Sequence, residues 1–174
     1  ITETLRLCSG SMIMREVMTP GVSLTLSSGN TYKFRKGDRV GICPPLAHLD
    51  ESIFKDANCF MPDRWVIESS DAGVIANAAQ GRLPDGSLTK NGKVLPSASA
   101  FLPFGGGASL CPGRRFARNE IKALVANLLT TYQMDVQVQE RGQPQLRPAF
   151  DGARAGLGIF PPGVSPKLVV RPLA

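Results

Sequence analysis

The sequence predicts a mainly α-helical chain carrying small β-sheets, and three observations support that class. Phe116, Ala117, Ile121, Leu124, Val125, Leu128 and Tyr132 recur at helical spacing and mark one apolar stripe, which a folded helix is expected to bury deeply. Between residues 22 and 43, short alternating segments are separated by turn signals, the pattern of a small antiparallel sheet. Near the C-terminus, "MDVQVQ" and "PKLVVRP" lie on either side of a Gly/Pro-rich stretch and suit a hairpin-like sheet.

Taken in order, residues 1–9 read as a helix already under way, and a first residue of Ile1 rather than Met suggests a piece cut from a longer chain. Gly10 and Pro20-Gly21 then open the strand-like region: "VSLTL" alternates, "SSGN" turns, "YKF" returns, and "DRVGIC" follows the turn at Lys36-Gly37 as a third strand. Pro44-Pro45 ends it. "DESIFKDANCF" (50–60) offers an Asp cap and a short amphipathic helix, followed by coil through "MPDRW". Residues 69–99 are poor in large apolar side chains and carry the turn pairs Asp85-Gly86 and Asn91-Gly92, so a mobile insertion loop or weak hairpin is expected there. The clearest helix follows Cys111, with Pro112 in the place of a first-turn proline.

Composition narrows the function. With 174 residues, 43% of them apolar, the chain can bury a core and is not a disordered protein. No apolar run approaches the roughly 20 residues that span a bilayer, and no leader-like segment is present, so an anchor or address is expected upstream. Cys8, Cys43, Cys59 and Cys111 form no C-x-x-C pair, which removes the spacing of a zinc ribbon or a dithiol redox site and leaves the thiols reduced. The net charge of +6 comes from basic residues spread along the chain, with no aromatic-interleaved basic run, and gives no support to a nucleic-acid partner.

Three glycines, Gly105 to Gly107, precede Cys111 by a few residues, and a helix follows it. A thiolate ligating a metal carries charge that needs stabilising, and free N–H groups with the positive end of a helix dipole supply that. The glycines open backbone conformations closed to other residues and let main-chain N–H groups or a flat cofactor approach the sulfur, where hydrogen bonds would tune a bound metal. Phe104 is placed to close one side against water, and Gly113 permits close packing just past the ligand.

"FGGGASLCPG" (104–113) resembles the haem-binding signature of the cytochrome P-450 superfamily, F-x-x-G-x-x-x-C-x-G, and Ala117 and Glu120 continue that pattern into the next helix. "ETLR" (3–6) resembles the family's K-helix E-x-x-R, and "FMPDRW" (60–65) its F-x-P-x-R-[FW] segment, in the same order and spacing. The resemblance implies that residues 1–174 are the C-terminal portion of a single cytochrome P-450 domain: K helix, small sheet, meander, haem-binding loop, L helix and terminal strands. It also implies haem b with Cys111 as the axial thiolate, Phe104, Gly105, Gly107, Gly113 and Ala117 around the cofactor, and a monooxygenase acting on a lipophilic substrate, with sterol-like molecules as the candidates. Electrons would come from NADPH through a separate reductase, with membrane attachment at the endoplasmic reticulum through a segment upstream. The distal acid–alcohol pair of the family is not found in this sequence, so the fragment alone is expected not to turn over. A haem-thiolate isomerase, or a truncated remnant that binds no haem, are the alternatives.

Glu3 and Arg6, three apart on a helix, share a face, where the carboxylate can meet its own Arg and a second fork from Arg64. The family gives this trio a structural role, holding the meander. Many members carry Arg or His two residues before the cysteine to contact a haem propionate; here that place is Ser109, which can donate a hydrogen bond but no charge. Arg15, in the segment after the K helix, is the candidate to supply it. Ser109, "EIK" (120–122) and "LAHLD" (46–50) resemble the branch holding cholesterol 7α-hydroxylase, sterol 12α-hydroxylase and prostacyclin synthase. His48 reads as a capping or packing histidine, Cys8, Cys43 and Cys59 as half-buried thiols, and Arg114, Arg118 and Lys122 as a basic stripe suited to an acidic electron donor or to solvent.

Overall fold

In a computed structural model of the chain, residues 1–10, 12–65, 88–90, 93–95, 100–137 and 167–173 are described. Helix α1 (Thr2–Cys8) is followed by four short strands, β1 (Ile13–Glu16), β2 (Val22–Thr25), β3 (Thr31–Phe34) and β4 (Arg39–Ile42). The strands form two antiparallel ladders: β1 pairs with β4, Ile13 opposite Ile42, and β2 with β3, Val22 opposite Phe34. "DRVGIC" therefore joins β1, not the β2–β3 hairpin as the sequence suggested. Gly29 and Gly37 take positive φ at the two turns, where a side chain would be strained.

Pro44-Pro45 ends the strands and starts helix α2 (Pro44–His48), as fits prolines whose N–H groups would go unused in a first turn. The helix expected over 50–60 is instead a run of turns with buried Ile53, Phe54 and Ala57. Asp50 accepts the Ser52 N–H at the start of that run, with no helix for it to cap. Asp56 then takes φ 51, which breaks a right-handed helix, and the carbonyls of Ala57 and Cys59 accept from Arg6 rather than from the chain's own next turn. A 3-10 turn (Pro62–Trp65) closes the meander. Ile53, Phe54, Ala57, Leu88 and Ala100 make the core cluster, with Ala47, Trp65, Leu95 and Phe101 packed on it. Leu88 reaches it from the segment expected to be an insertion, whose strands β5 (Thr89–Lys90) and β6 (Lys93–Val94) pair antiparallel, and Lys90 meets Asp50 at 2.7 Å. The remainder of 69–99 lies outside the described residues.

Beside that core sits a buried ion cluster. Arg6 forks onto Glu3, Nε to Oε2 at 2.9 Å and Nη2 to Oε1 at 2.7 Å, and spends Nη1 on the carbonyls of His48 and Ala57. Among the described residues Arg64 reaches Glu3 Oε1 through Nε at 3.1 Å and sends Nη2 to the Asp56 carbonyl, an arrangement that differs from the second fork on the carboxylate expected from sequence. The Met61 N–H and the Trp65 indole complete the carboxylate's shell. Burial alone would raise the pKa of Glu3, but hydrogen bonds from Arg6, Met61 and Trp65, with the charge of Arg6, hold it down at about 2.

The last elements are α3 (Arg114–Thr131), β7 (Tyr132–Gln137) and β8 (Lys167–Pro172); the two strands pair antiparallel, Tyr132 opposite Pro172, as the terminal hairpin reading requires. Helix α3 corrects two expectations. It begins at Arg114 with Gly113 as its cap, so Pro112 lies in the preceding turn. Its stripe is not buried: Phe116 is 71% exposed and Leu124 58%, because no element among the described residues covers that face. No helix among the described residues is long and apolar enough to cross a membrane.

Removing the shared carboxylate takes the ion-pair partner from two buried guanidinium groups, so Glu3→Ala should lower unfolding stability by about 3–5 kcal/mol in denaturant titration. An exposed pair would give about 1 kcal/mol or less.

Candidate functional site

Residues 100–113 connect the core to α3 and carry the glycine-rich loop. The ring of Phe101 packs against Trp65, centroids 4.9 Å apart and tilted by 43°, anchoring the loop's start to the meander. Gly105 N–H donates to Leu102 O at 3.2 Å, and the Cys111 N–H donates to Phe104 O at 3.0 Å, closing a bend around Gly105 to Leu110. Gly105 (φ 80) and Gly107 (φ 63) occupy left-handed backbone that a β-carbon disfavours, while Gly106 is extended. A short 3-10 turn (Gly107–Ser109) follows.

This bend faces α1 and β1 across a mostly apolar cavity of about 570 Å³, lined among others by Leu5, Met12, Met14, Phe104 and Cys111. That volume falls within the range of small-molecule and cofactor sites, roughly 300–1,000 Å³. Cys111 is an exposed free thiol on its wall. Arg15, also on the wall, is fixed by donating Nη2 to the Gly106 carbonyl at 2.8 Å and Nη1 to its own neighbour's carbonyl, that of Met14. Ser109 lines the same space. The structure thus brings together Cys111, Phe104, Gly105, Arg15 and Ser109. Gly113 sits close behind: a β-carbon there would stand 4.0 Å from Cys111 Sγ. Ala117 is half-buried one turn into α3. Glu3, Arg6 and Arg64 are not among the residues that line this cavity.

One electrostatic expectation fails. Among the described residues no N–H donates to Cys111 Sγ, since α3 starts three residues later than the sulfur and the Cys111 N–H is already spent on Phe104 O. What stays near the loop is basic: Arg118 lies 5.6 Å over the Phe104 ring, and Arg114 donates Nη1 to the Cys111 carbonyl at 3.0 Å. Two members of the expected basic stripe therefore brace the loop. Sequence reasoning missed that bracing, along with the Trp65 donor to Glu3; the tryptophan was visible in "FMPDRW", but nothing in spacing says where an indole N–H points. His48 is fully buried as a packing residue, and burial first, then the charge of Arg6, lowers its pKa to about 4. Cys8, Cys43 and Cys59 are half-buried.

The cytochrome P450 family model matches residues 1–154. The chain belongs to the cytochrome P-450 family. It is 35% identical over 162 residues to cholesterol 7-alpha-monooxygenase of Cricetulus griseus, covering 93% of this chain and 28% of that protein. It is 39% identical over 137 residues to 25-hydroxycholesterol 7-alpha-hydroxylase of Rattus norvegicus, covering 78% of this chain and 29% of the relative. Among solved structures it is similar to the retinoic-acid-bound cyanobacterial CYP120A1, with a TM-score of 0.62 at 20% identity over 99% of this chain and 31% of that one. A zebrafish cytochrome P-450 with abiraterone gives a TM-score of 0.61 at 22% identity, over 99% of this chain and 32% of the other. The two structures share the fold, and the chain spans under a third of the length of all these relatives. Haem iron bound through a thiolate is the cofactor of this family.

The residues present fit that group. A solvent-accessible sulfur, a flanking guanidinium and an apolar wall with one aromatic ring are the donor, counter-charge and lining that a flat, dianionic iron macrocycle requires. A β-carbon at position 105 would be forced into left-handed backbone, so Gly105→Ala should cost about 1–2 kcal/mol in thermal or chemical unfolding. The equivalent change at Gly106, which is extended, should be limited by its contact with Leu102 and not by backbone conformation.

Proposed function

We propose that residues 1–174 are the C-terminal portion of a single cytochrome P-450 domain and carry the thiolate-bearing side of a haem monooxygenase that oxidises a sterol-like lipophilic substrate. One observation carries the reading: the Cys111 thiol stands exposed on the wall of an apolar cavity, inside a bend shaped by two left-handed glycines, with Arg15 fixed at the same wall. The apolar stripe of α3, uncovered among the described residues, and the share of the relatives' length that the chain spans support its being one part of a larger fold.

In this reading Cys111 Sγ would hold the iron, and Arg15 and Ser109 would face the macrocycle's carboxylates, the first by charge and the second by a hydroxyl. Phe104 and Met14 would keep water from the apolar wall. Arg114 and Arg118 hold the loop by its carbonyl and its aromatic ring, which keeps the sulfur in place without a second ligand. When bound, the haem supplies the activation of dioxygen and the insertion of one of its atoms into the substrate. The sterol class comes from the names of the relatives, which are hydroxylases and monooxygenases, and those names favour monooxygenation over the rearrangement of an oxygenated lipid. Electrons would come from NADPH through a separate reductase, which the basic residues Arg114, Arg118 and Lys122 would attract.

The experiment is a pigment test on the full-length polypeptide that contains this chain. Reduced and exposed to CO, it should show the strongly red-shifted Soret band of a thiolate-ligated haem, and Cys111→Ala should abolish that band. A retained band in the alanine variant contradicts the ligand assignment. Sterol turnover that proceeds without NADPH and reductase contradicts the monooxygenase reading while leaving the ligand in place.

A further inference from the structure

His48 is the sole histidine of the chain and lies outside the cavity. Its ring is buried against Phe101, centroids 5.3 Å apart, and Nε2 accepts the Leu102 N–H at 3.0 Å. Its main-chain carbonyl accepts Arg6 Nη1 at 2.6 Å. One residue is therefore bonded through its backbone to the ion cluster and through its ring to the start of the glycine loop. From Leu102 the path continues without a gap: the Leu102 carbonyl accepts the Gly105 N–H, and the Phe104 carbonyl accepts the Cys111 N–H.

We propose that His48 is a positioning residue for the sulfur-bearing loop: as a neutral acceptor it fixes Leu102, and through Leu102 the bend that presents Cys111 to the cavity. This rests on the haem-thiolate reading above. Accepting at Nε2 requires the proton to sit on Nδ1, which is buried and finds no partner among the described residues, so the tautomer is set by the Leu102 N–H alone. A second proton would set N–H against N–H and leave a cation in the core.

The groups around the ring decide which way it titrates. From α1 comes Arg6, already paired with Glu3, and from the meander Arg64, which shares that carboxylate. Asp50, two residues on, is engaged by Lys90, and among the described residues the loop side offers Phe101 and Leu102. No unpaired carboxylate among these favours imidazolium. With the folded-state pKa lowered to about 4 from an ordinary 6.5, the contribution of the neutral ring is complete above 6.5 and fades as pH falls toward 4.

The test compares wild type, His48→Gln, His48→Leu and Cys111→Ala in the full-length haem-loaded protein. Two readouts are followed as pH is lowered: retention of haem, and the share of the reduced CO complex in the red-shifted, thiolate-type form. Gln keeps an acceptor near the ε position but cannot titrate; Leu removes it. The expected result is that His48→Leu at neutral pH holds about tenfold less thiolate-type over unshifted complex, the equivalent of one lost buried hydrogen bond. His48→Gln should recover the neutral-pH ratio and, unlike wild type, keep it as the pH drops through the window above. A haem-loaded His48→Leu with the wild-type ratio overturns the inference. If the Leu variant does not fold, the Gln profile decides, and loss of the thiolate form over the same pH range as wild type overturns it. Cys111→Ala separates the two levels: if that variant retains the band, the haem-thiolate reading falls and this inference with it. If it loses the band while His48→Gln titrates like wild type, only the role of His48 is overturned.

Discussion

A carboxylate leaves water only where enough donors replace its hydration, and Glu3 has five: Arg6 Nε and Nη2, Arg64 Nε, the Met61 N–H and the Trp65 indole. Those donors come from α1, the meander and the 3-10 turn that closes it, so the charge can be satisfied only when the three stand together. The neighbouring guanidinium works in the other direction. Arg6 gathers the carbonyl of His48, at the end of α2, and those of Ala57 and Cys59 in the meander. A segment of irregular backbone is thereby held as firmly as a regular element.

That constraint explains how a thiol comes to stand on an apolar wall. The aromatic packing of Trp65 on Phe101 and the bond from Leu102 to His48 carry the position of the cluster to the start of the glycine loop. The left-handed turns at Gly105 and Gly107 then reverse the chain, and Arg15 from β1 and Arg114 from α3 clasp its carbonyls. The sulfur itself makes no hydrogen bond within the described residues. Its exposure is produced by everything around it being occupied, which is what an open ligand position needs.

Sequence spacing revealed the most where a side chain's partner lay within one helical turn or in a fixed motif. Glu3 with Arg6, the glycines before Cys111 and the pairing of the two terminal strands were all legible in that way. What failed had a common cause, interactions between segments far apart in the chain. "DESIFKDANCF" has the pattern of a short helix, but its carbonyls are claimed by Arg6, and Asp56 turns left-handed to present them. Strand β4 pairs with β1 across the intervening hairpin because the register of Arg15 opposite Val40 is set there, which local alternation does not encode. The apolar stripe of α3 was correctly seen as a stripe and wrongly expected to be buried, since periodicity identifies a face but not what covers it.

The claim on which the rest depends is that one buried carboxylate holds both the meander and, through His48 and Phe101, the loop of the thiol. Amide hydrogen exchange in wild type and Glu3→Gln, under conditions where both remain folded, addresses it most directly. The account predicts faster exchange in Glu3→Gln at Met61 and, together with it, at Leu102, Gly105 and Cys111. Faster exchange at Met61 with unchanged protection at Leu102, Gly105 and Cys111 would show that the loop is positioned independently of the cluster and would contradict the account.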